Sequence, residues 1–273
     1  MIVAAFIFEI LFTIGFPIVL AAWLIRRFKT GWRLFWVGVA TFIGSQVVHI
    51  PLLQGLTVAL RGVGLQLSGT TLLLFNAVVL GLAAGLCEET ARWVGYKLLK
   101  EKGKTFGAAV TLAAGHGGIE SILLAGVVVL INLVVMMVIT TNPSILNTLP
   151  GDTAAQLKAS ADSFWSVNPT LPLAGAFERL VAITLHTSLS IMVWLAFVRR
   201  NALWYVAAVL WHAVVDALSV YLSGSGVLTT WGLEGVIALS LLFNIPFIYW
   251  AYRKYSQPPA APQPEALEPT SAA

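Results

Sequence analysis

Ten ionisable side chains and one serine stand out, because each falls inside a long apolar run rather than between runs. They lie in four short motifs. "EETAR" carries Glu88, Glu89 and Arg92, and "GHGGIES" carries His116 and Glu120. "FERLVAITLHTSLS" carries Glu178, Arg179, His186 and Ser190, and "WHAVVDA" carries His212 and Asp216. A buried carboxylate can take a proton from water, and a histidine can donate to a developing oxyanion or bind a metal that makes water acidic. Together these residue types suit hydrolysis of a stable bond.

Spacing groups them further. His116 and Glu120 are four residues apart, as are His212 and Asp216, so each pair shares a helix face on which the carboxylate can orient its histidine. Arg179, His186 and Ser190 share a face at steps of seven and four. Glu88 and Glu89 point about 100° apart on a helix, which leaves one free to face a cavity while the other pairs with Arg92. Such a split gives two neighbouring acids different environments.

The elements that must position these groups are membrane spans. The chain has 273 residues, 58% hydrophobic and 10% charged, with ten Trp, a composition outside the range of soluble domains. A span needs about 20 apolar residues. Seven runs qualify: Val3 to Ile25, Leu34 to Leu60, Thr71 to Leu99, Thr105 to Ile139, Leu171 to Val198, Leu203 to Leu222 and Val227 to Tyr252. The expectation is an all-α polytopic bundle in the cytoplasmic membrane. Pro51 should kink or end the second helix. The fourth run exceeds one crossing and is expected to tilt, protrude or break near "AAGHGG", whose glycines suit close helix packing rather than a phosphate loop. Residues 140–170 read as a loop with room for a short helix, and residues 257–273, rich in Pro and Ala, as a disordered tail beyond a single domain of residues 1–256.

Lys and Arg sort to alternate breaks. Arg26, Arg27, Lys29, Arg33, Lys97, Lys100, Lys102, Lys104, Arg199, Arg200, Arg253 and Lys254 fall on one side, and Arg61 and Lys158 on the other. That asymmetry predicts an outside N-terminus and a cytoplasmic C-terminus. The formal net charge of +4 therefore reports orientation, and no nucleic-acid partner is expected. The lone cysteine, Cys87, cannot form an internal disulfide. His116, His186 and His212 each lie about 12 or 13 residues from the nearest basic flank, roughly 18 to 20 Å of helix. Three histidines on three helices thus share one depth, with Glu88 and Glu89 slightly nearer that flank. His49, beside Pro51, falls elsewhere and reads as a helix-to-helix hydrogen-bond partner, and Glu9 and Glu234 as local polar contacts.

The four motifs, in this order between Thr71 and Leu222, resemble the YhfC family of intramembrane metalloproteases. That family is related to the CAAX prenyl proteases and bacteriocin-processing enzymes, to the PrsW proteases and to the Aph scaffold subunit of gamma-secretase. The resemblance implies an intramembrane endopeptidase acting on a hydrophobic or membrane-tethered peptide or protein. It implies Glu88 as the water-activating residue, Glu89 as its neighbour held with Arg92, and His116, His212 and Asp216 as catalytic partners. Arg179 and His186 match an additional fifth-helix motif. Zinc held by His116, His186 and His212 and a metal-free glutamate mechanism are both open, since no HExxH helix is present. Glu120, Glu178, Arg179 and Ser190 are expected to support the reacting groups. A proton-coupled transporter and a noncatalytic scaffold are the other classes that such residues serve; no inverted repeat supports the first.

Overall fold

A computed structural model describes residues 1–64 and 66–256, so the tail expected at 257–273 lies outside the described residues. Ten α-helices are present and, among the described residues, no strand: α1 (Ile2–Phe28), α2 (Trp32–Gly62), α3 (Gly69–Leu99), α4 (Phe106–Glu120), α5 (Val128–Thr141), α6 (Gly151–Ser166), α7 (Leu171–Arg199), α8 (Ala202–Ser225), α9 (Thr230–Ala238) and α10 (Leu241–Tyr255). Seven helical segments are long and apolar enough to cross a membrane, and each coincides with one of the seven runs. Helices are the required solution, because a chain in lipid must satisfy its backbone polar groups internally.

Local signals set the ends. Thr105 Oγ1 accepts from the Ala108 amide at 3.1 Å to start α4, and Asn201 Oδ1 accepts from the Leu203 amide at 2.9 Å to start α8. Basic residues close α1, α7 and α10, where they favour the negative helix end. These termini gather at one end of the bundle: Arg27 donates to the Tyr252 hydroxyl at 3.0 Å, and Arg199 to that of Tyr255 at 3.2 Å.

Three features differ from the sequence expectation or refine it. Helix α2 runs through Pro51 to Gly62 without ending there. The long fourth span changes hydrogen bonding just after the glycines: residues Ser121–Val127 form a π-helical turn between α4 and α5. That wider turn lies against α1, where Ser121 Oγ donates to the Thr13 carbonyl at 2.9 Å. The seventh span is divided into α9 and α10 at Leu239 and Ser240, which no sequence signal announced. Residues 140–170 hold α6, whose Phe164 ring stacks on Phe6 of α1 with centroids 4.4 Å apart.

Helix α7 is the central element, with 72% of its most apolar stretch buried. Around it, glycines bring helices into backbone contact, the way apolar helices associate where lipid offers no hydrophobic drive. A Cβ added to Gly81 or Gly85 of α3 would sit 2.4 Å from the Ala213 carbonyl or 2.6 Å from that of Val209, both on α8. One added to Gly115 of α4 would sit 2.0 Å from the Phe35 carbonyl on α2. Gly81→Ala and Gly115→Ala should each destabilise the protein by about 1–3 kcal/mol, seen as a lowered unfolding midpoint in detergent. Gly44→Ala is the control, since its added Cβ meets nothing within 4 Å; equal midpoints for all three variants would refute the close-packing account.

Candidate active site

The α3–α8 contact carries the site with it. Gly85 and Glu89 are one turn apart on α3, and on α8 the backbone at Val209 and Ala213 that receives Gly81 and Gly85 flanks His212. Fixing two glycines against α8 therefore places Glu89 on His212, whose Nδ1 lies 2.7 Å from Glu89 Oε1. The His116 rings and backbone are set similarly, because Gly115 docks on α2 and Gly117 packs against the His186 side chain of α7.

Charged groups form a chain around a small interior cavity of about 90 Å³, enough for several waters. Arg179 pairs with Glu178 and reaches across from α7 to Glu120 Oε1 at 3.1 Å. Glu120 Oε2 lies 2.5 Å from His186 Nε2, and His186 Nδ1 lies 2.6 Å from Arg92 Nη2. Arg92 in turn pairs with Glu89, Glu89 meets His212, and His212 Nε2 lies 3.4 Å from Asp216 Oδ2. Glu88 occupies the centre. Its Oε2 is 3.0 Å from His116 Nε2, 3.7 Å from Arg92 Nη2 and 4.0 Å from His212 Nε2. Gln46 of α2 donates to its Oε1 at 3.3 Å.

The partners orient the imidazoles. Thr41 Oγ1 lies 2.6 Å from the Gly38 carbonyl and 2.9 Å from His116 Nδ1, which ties that nitrogen to α2. His116 Nε2 is thereby directed at Glu88 Oε2. At 3.0 Å this contact requires a proton or a metal cation between the two atoms. In His212 the carboxylate of Glu89 receives Nδ1–H, which turns Nε2 toward Asp216 and the cavity. His186 differs, because a guanidinium only donates: its Nδ1 accepts from Arg92, and its Nε2 lies against Glu120 Oε2.

A carboxylate beside imidazoles is a donor set that suits zinc. Among the described residues, one group of three such ligands has its atoms within 4.8 Å of one another: Glu88, His116 and His186. By distance, then, the metal trio expected as His116, His186 and His212 has Glu88 in place of His212. Each imidazole turns its Nε2 to a carboxylate, His116 to Glu88, His186 to Glu120 and His212 to Asp216. The fit to a metal rests on the trio, in which Glu88 and His116 lie 3.0 Å apart.

Other expected residues are placed as follows. Glu88, Glu120, Glu178, Arg179, His186, His212 and Asp216 all line the cavity. Glu89, Arg92 and His116, each with 0% exposure, are buried beside Glu88 outside that lining. Glu120 orients His186 instead of His116, because it ends α4 at the π-helical turn and Arg179 draws it toward α7. Asp216 meets His212 at the cavity-side nitrogen, so the orienting contact comes from Glu89. Ser190 lies elsewhere: its Oγ is 2.6 Å from the Tyr96 hydroxyl and bonds the Ala109 carbonyl. The sequence reading missed Thr41 and Gln46, lone polar residues on a span with no other motif, and Asn244. The last is fully buried on α10 and accepts from Ser188 at 2.7 Å and Trp211 at 3.0 Å, tying α7, α8 and α10 together.

A polytopic helical bundle enclosing a glutamate, histidine and arginine centre within its spans defines a membrane protein with a buried polar site. The chain belongs to the YhfC intramembrane metalloprotease family, whose model matches residues 11–238. It is 24% identical over 244 residues to the uncharacterized membrane protein YhfC of Bacillus subtilis (strain 168), covering 88% of this chain and 92% of the relative. No solved structure matches it.

Arg92 is the test of the network. Arg92→Met should cost about 3–5 kcal/mol by leaving Glu89 buried without its cation. Adding Glu89→Gln should recover part of that loss. Unfolding midpoints of the two single variants and the double variant in detergent measure the coupling; strictly additive losses would show that the pair does not act as a unit.

Proposed function

We propose that the chain is an intramembrane endopeptidase that hydrolyses a hydrophobic or membrane-tethered peptide. The observation that carries this reading is Glu88, which together with His212 lines an interior cavity large enough for several waters while its Oε2 lies 3.0 Å from His116 Nε2. The family description, which names an intramembrane metalloprotease, supports it. The asymmetry of Lys and Arg further supports an outside N-terminus, a cytoplasmic C-terminus and residence in the cytoplasmic membrane.

Glu88 is the base. Its Oε1 is held by Gln46, which leaves Oε2 to take a proton from water as that water attacks the peptide carbonyl. His116 and His212 position the water and face the oxyanion. Glu89, receiving Arg92 and His212 on one oxygen, fixes the His212 ring. Arg92 adds positive charge on the side of the cavity where the oxyanion forms, and His186 is held between it and Glu120. Asp216, at the cavity edge beside His212 Nε2, is placed to pass a proton to the departing amine. A zinc ion bound through Glu88 and His116 would polarise the carbonyl and lower the pKa of water, chemistry that leaves these supporting roles unchanged.

Glu88→Gln should reduce peptide cleavage by about 10²- to 10⁴-fold without lowering the unfolding midpoint. Mass spectrometry of membrane peptides that accumulate in cells carrying the variant reads both activity and substrate. Intact cleavage in Glu88→Gln and in Glu89→Gln alike would overturn the glutamate mechanism. Elemental analysis of detergent-purified protein should find about one zinc per chain, and under about a tenth of that in His116→Ala. Zinc retained in His116→Ala would move the metal away from this centre, and no zinc in the folded wild type would leave Glu88 acting alone.

A further inference from the structure

Beyond the catalytic centre, three more carboxyl groups collect at the far end of the cavity, away from the basic end of the bundle. Glu178 of α7 lines the cavity, and its side chain is 32% exposed. Glu9 of α1 reaches α7 one turn from it, at Gly175, and Glu234 lies on α9, which packs against α7. Each of these two is only 7% exposed. Glu9 Oε1 lies over Gly175, where an added Cβ would come within 2.1 Å of it, so that glycine makes room for the carboxyl. Glu234 is one turn before Ile237, which lines the cavity, and its Oε2 is buried with no hydrogen-bond partner.

The charges do not balance. One cation, Arg179, serves the group, and it is already engaged by Glu178 on one side and Glu120 on the other. Glu9 and Glu234 are left without a basic partner at a depth where an unpaired carboxylate is costly. A single metal ion does not answer this imbalance, because the one described trio within coordinating reach is Glu88, His116 and His186. An ammonium or guanidinium does: its three to five N–H donors span separated carboxyls, and its apolar stem lies along a membrane interior.

We propose that Glu178, Glu234 and Glu9 form a recognition site for a positively charged group of a polypeptide, a Lys or Arg side chain or a free amino terminus, adjoining the catalytic cavity. The proposal rests on the peptidase reading only in naming a polypeptide as the ligand. A bound cation offsets the unpaired acids, enters past the exposed edge of Glu178, and thereby sets which part of the chain lies beside Glu88. Selectivity of this kind derives from electrostatic complementarity rather than from contact area.

The test is binding, so that it stands apart from turnover. The probes are fluorescein-labelled leucine–alanine helical peptides with blocked ends, one carrying a Lys near one end and one a Gln there. A third peptide has the Gln and a free amino terminus. Their affinities for the full-length protein, wild type and Glu88→Gln, are measured by fluorescence anisotropy in a zwitterionic detergent at about 0.15 M salt. The Lys or free-amine peptide should bind about tenfold more tightly than the blocked Gln peptide. The preference should shrink to about twofold or less in Glu234→Gln and in Glu178→Gln with Glu234→Gln. Whichever arm shows the preference assigns the source as side chain or chain end. Equal affinities for all three peptides, or a preference that survives both variants, would overturn the site. Cleavage without charge preference would remove this site and keep the peptidase reading; charge preference without cleavage of any probe would do the reverse.

Discussion

The guanidinium of Arg92 has no exposed surface in a protein whose surroundings are apolar, and that constraint organises the interior. A cation there must be matched from several helices, because its own helix supplies only Glu88 and Glu89. It engages Glu89 on α3 and His186 on α7, and through Glu89 it reaches His212 on α8. Three spans are thus bound to one group, and two of these bonds orient an imidazole. The geometry of the candidate site and its structural neutralisation are the same set of contacts, which makes removal of one partner more damaging than its area suggests.

Such a network forms only if the helices come close enough, and that depends on what is absent from their surfaces. Gly81, Gly85 and Gly115 press backbone on backbone, at distances that leave no room for a methyl group. Side-chain reach is short: a glutamate on α3 and a histidine on α8 meet at 2.7 Å because nothing bulky holds the helices apart one turn earlier. The polar centre supplies directionality, and the glycines supply proximity. Neither suffices in lipid, where burying apolar surface yields little.

Much of this was legible because membrane burial makes polar residues conspicuous. Seven apolar runs gave the spans, and the common depth of His116, His186 and His212 gave their convergence. Helical spacing also separated Glu88 from Glu89, and Arg92 does pair with Glu89 while Glu88 faces inward. What spacing could not supply was rotation about a helix relative to its neighbours. Glu120 shares a face with His116, yet the π-helical turn and the pull of Arg179 turn it to His186. Ser190 is one turn from His186, yet it points to Tyr96 across a different helix contact. Thr41, Gln46 and Asn244 were invisible for another reason: a single neutral polar residue in a span carries no pattern until a partner from another helix is in place.

The adjacent acids show how one sequence step becomes a division of labour. Glu89 meets a permanent cation and an imidazole nitrogen on Oε1, while its Oε2 is buried without a hydrogen-bond partner. Glu88 meets Gln46 on one oxygen, and its other oxygen faces the Nε2 atoms of His116 and, farther off, His212 at the edge of the cavity. That side of Glu88 is open to something positive and exchangeable. A proton drawn from water satisfies it, and so does a bound metal; a second fixed side chain would quench it. Glu88 lines the cavity while Glu89 is buried against Arg92 and His212, and that contrast is what supports Glu88 over Glu89 as the water-activating group of the proposed peptidase.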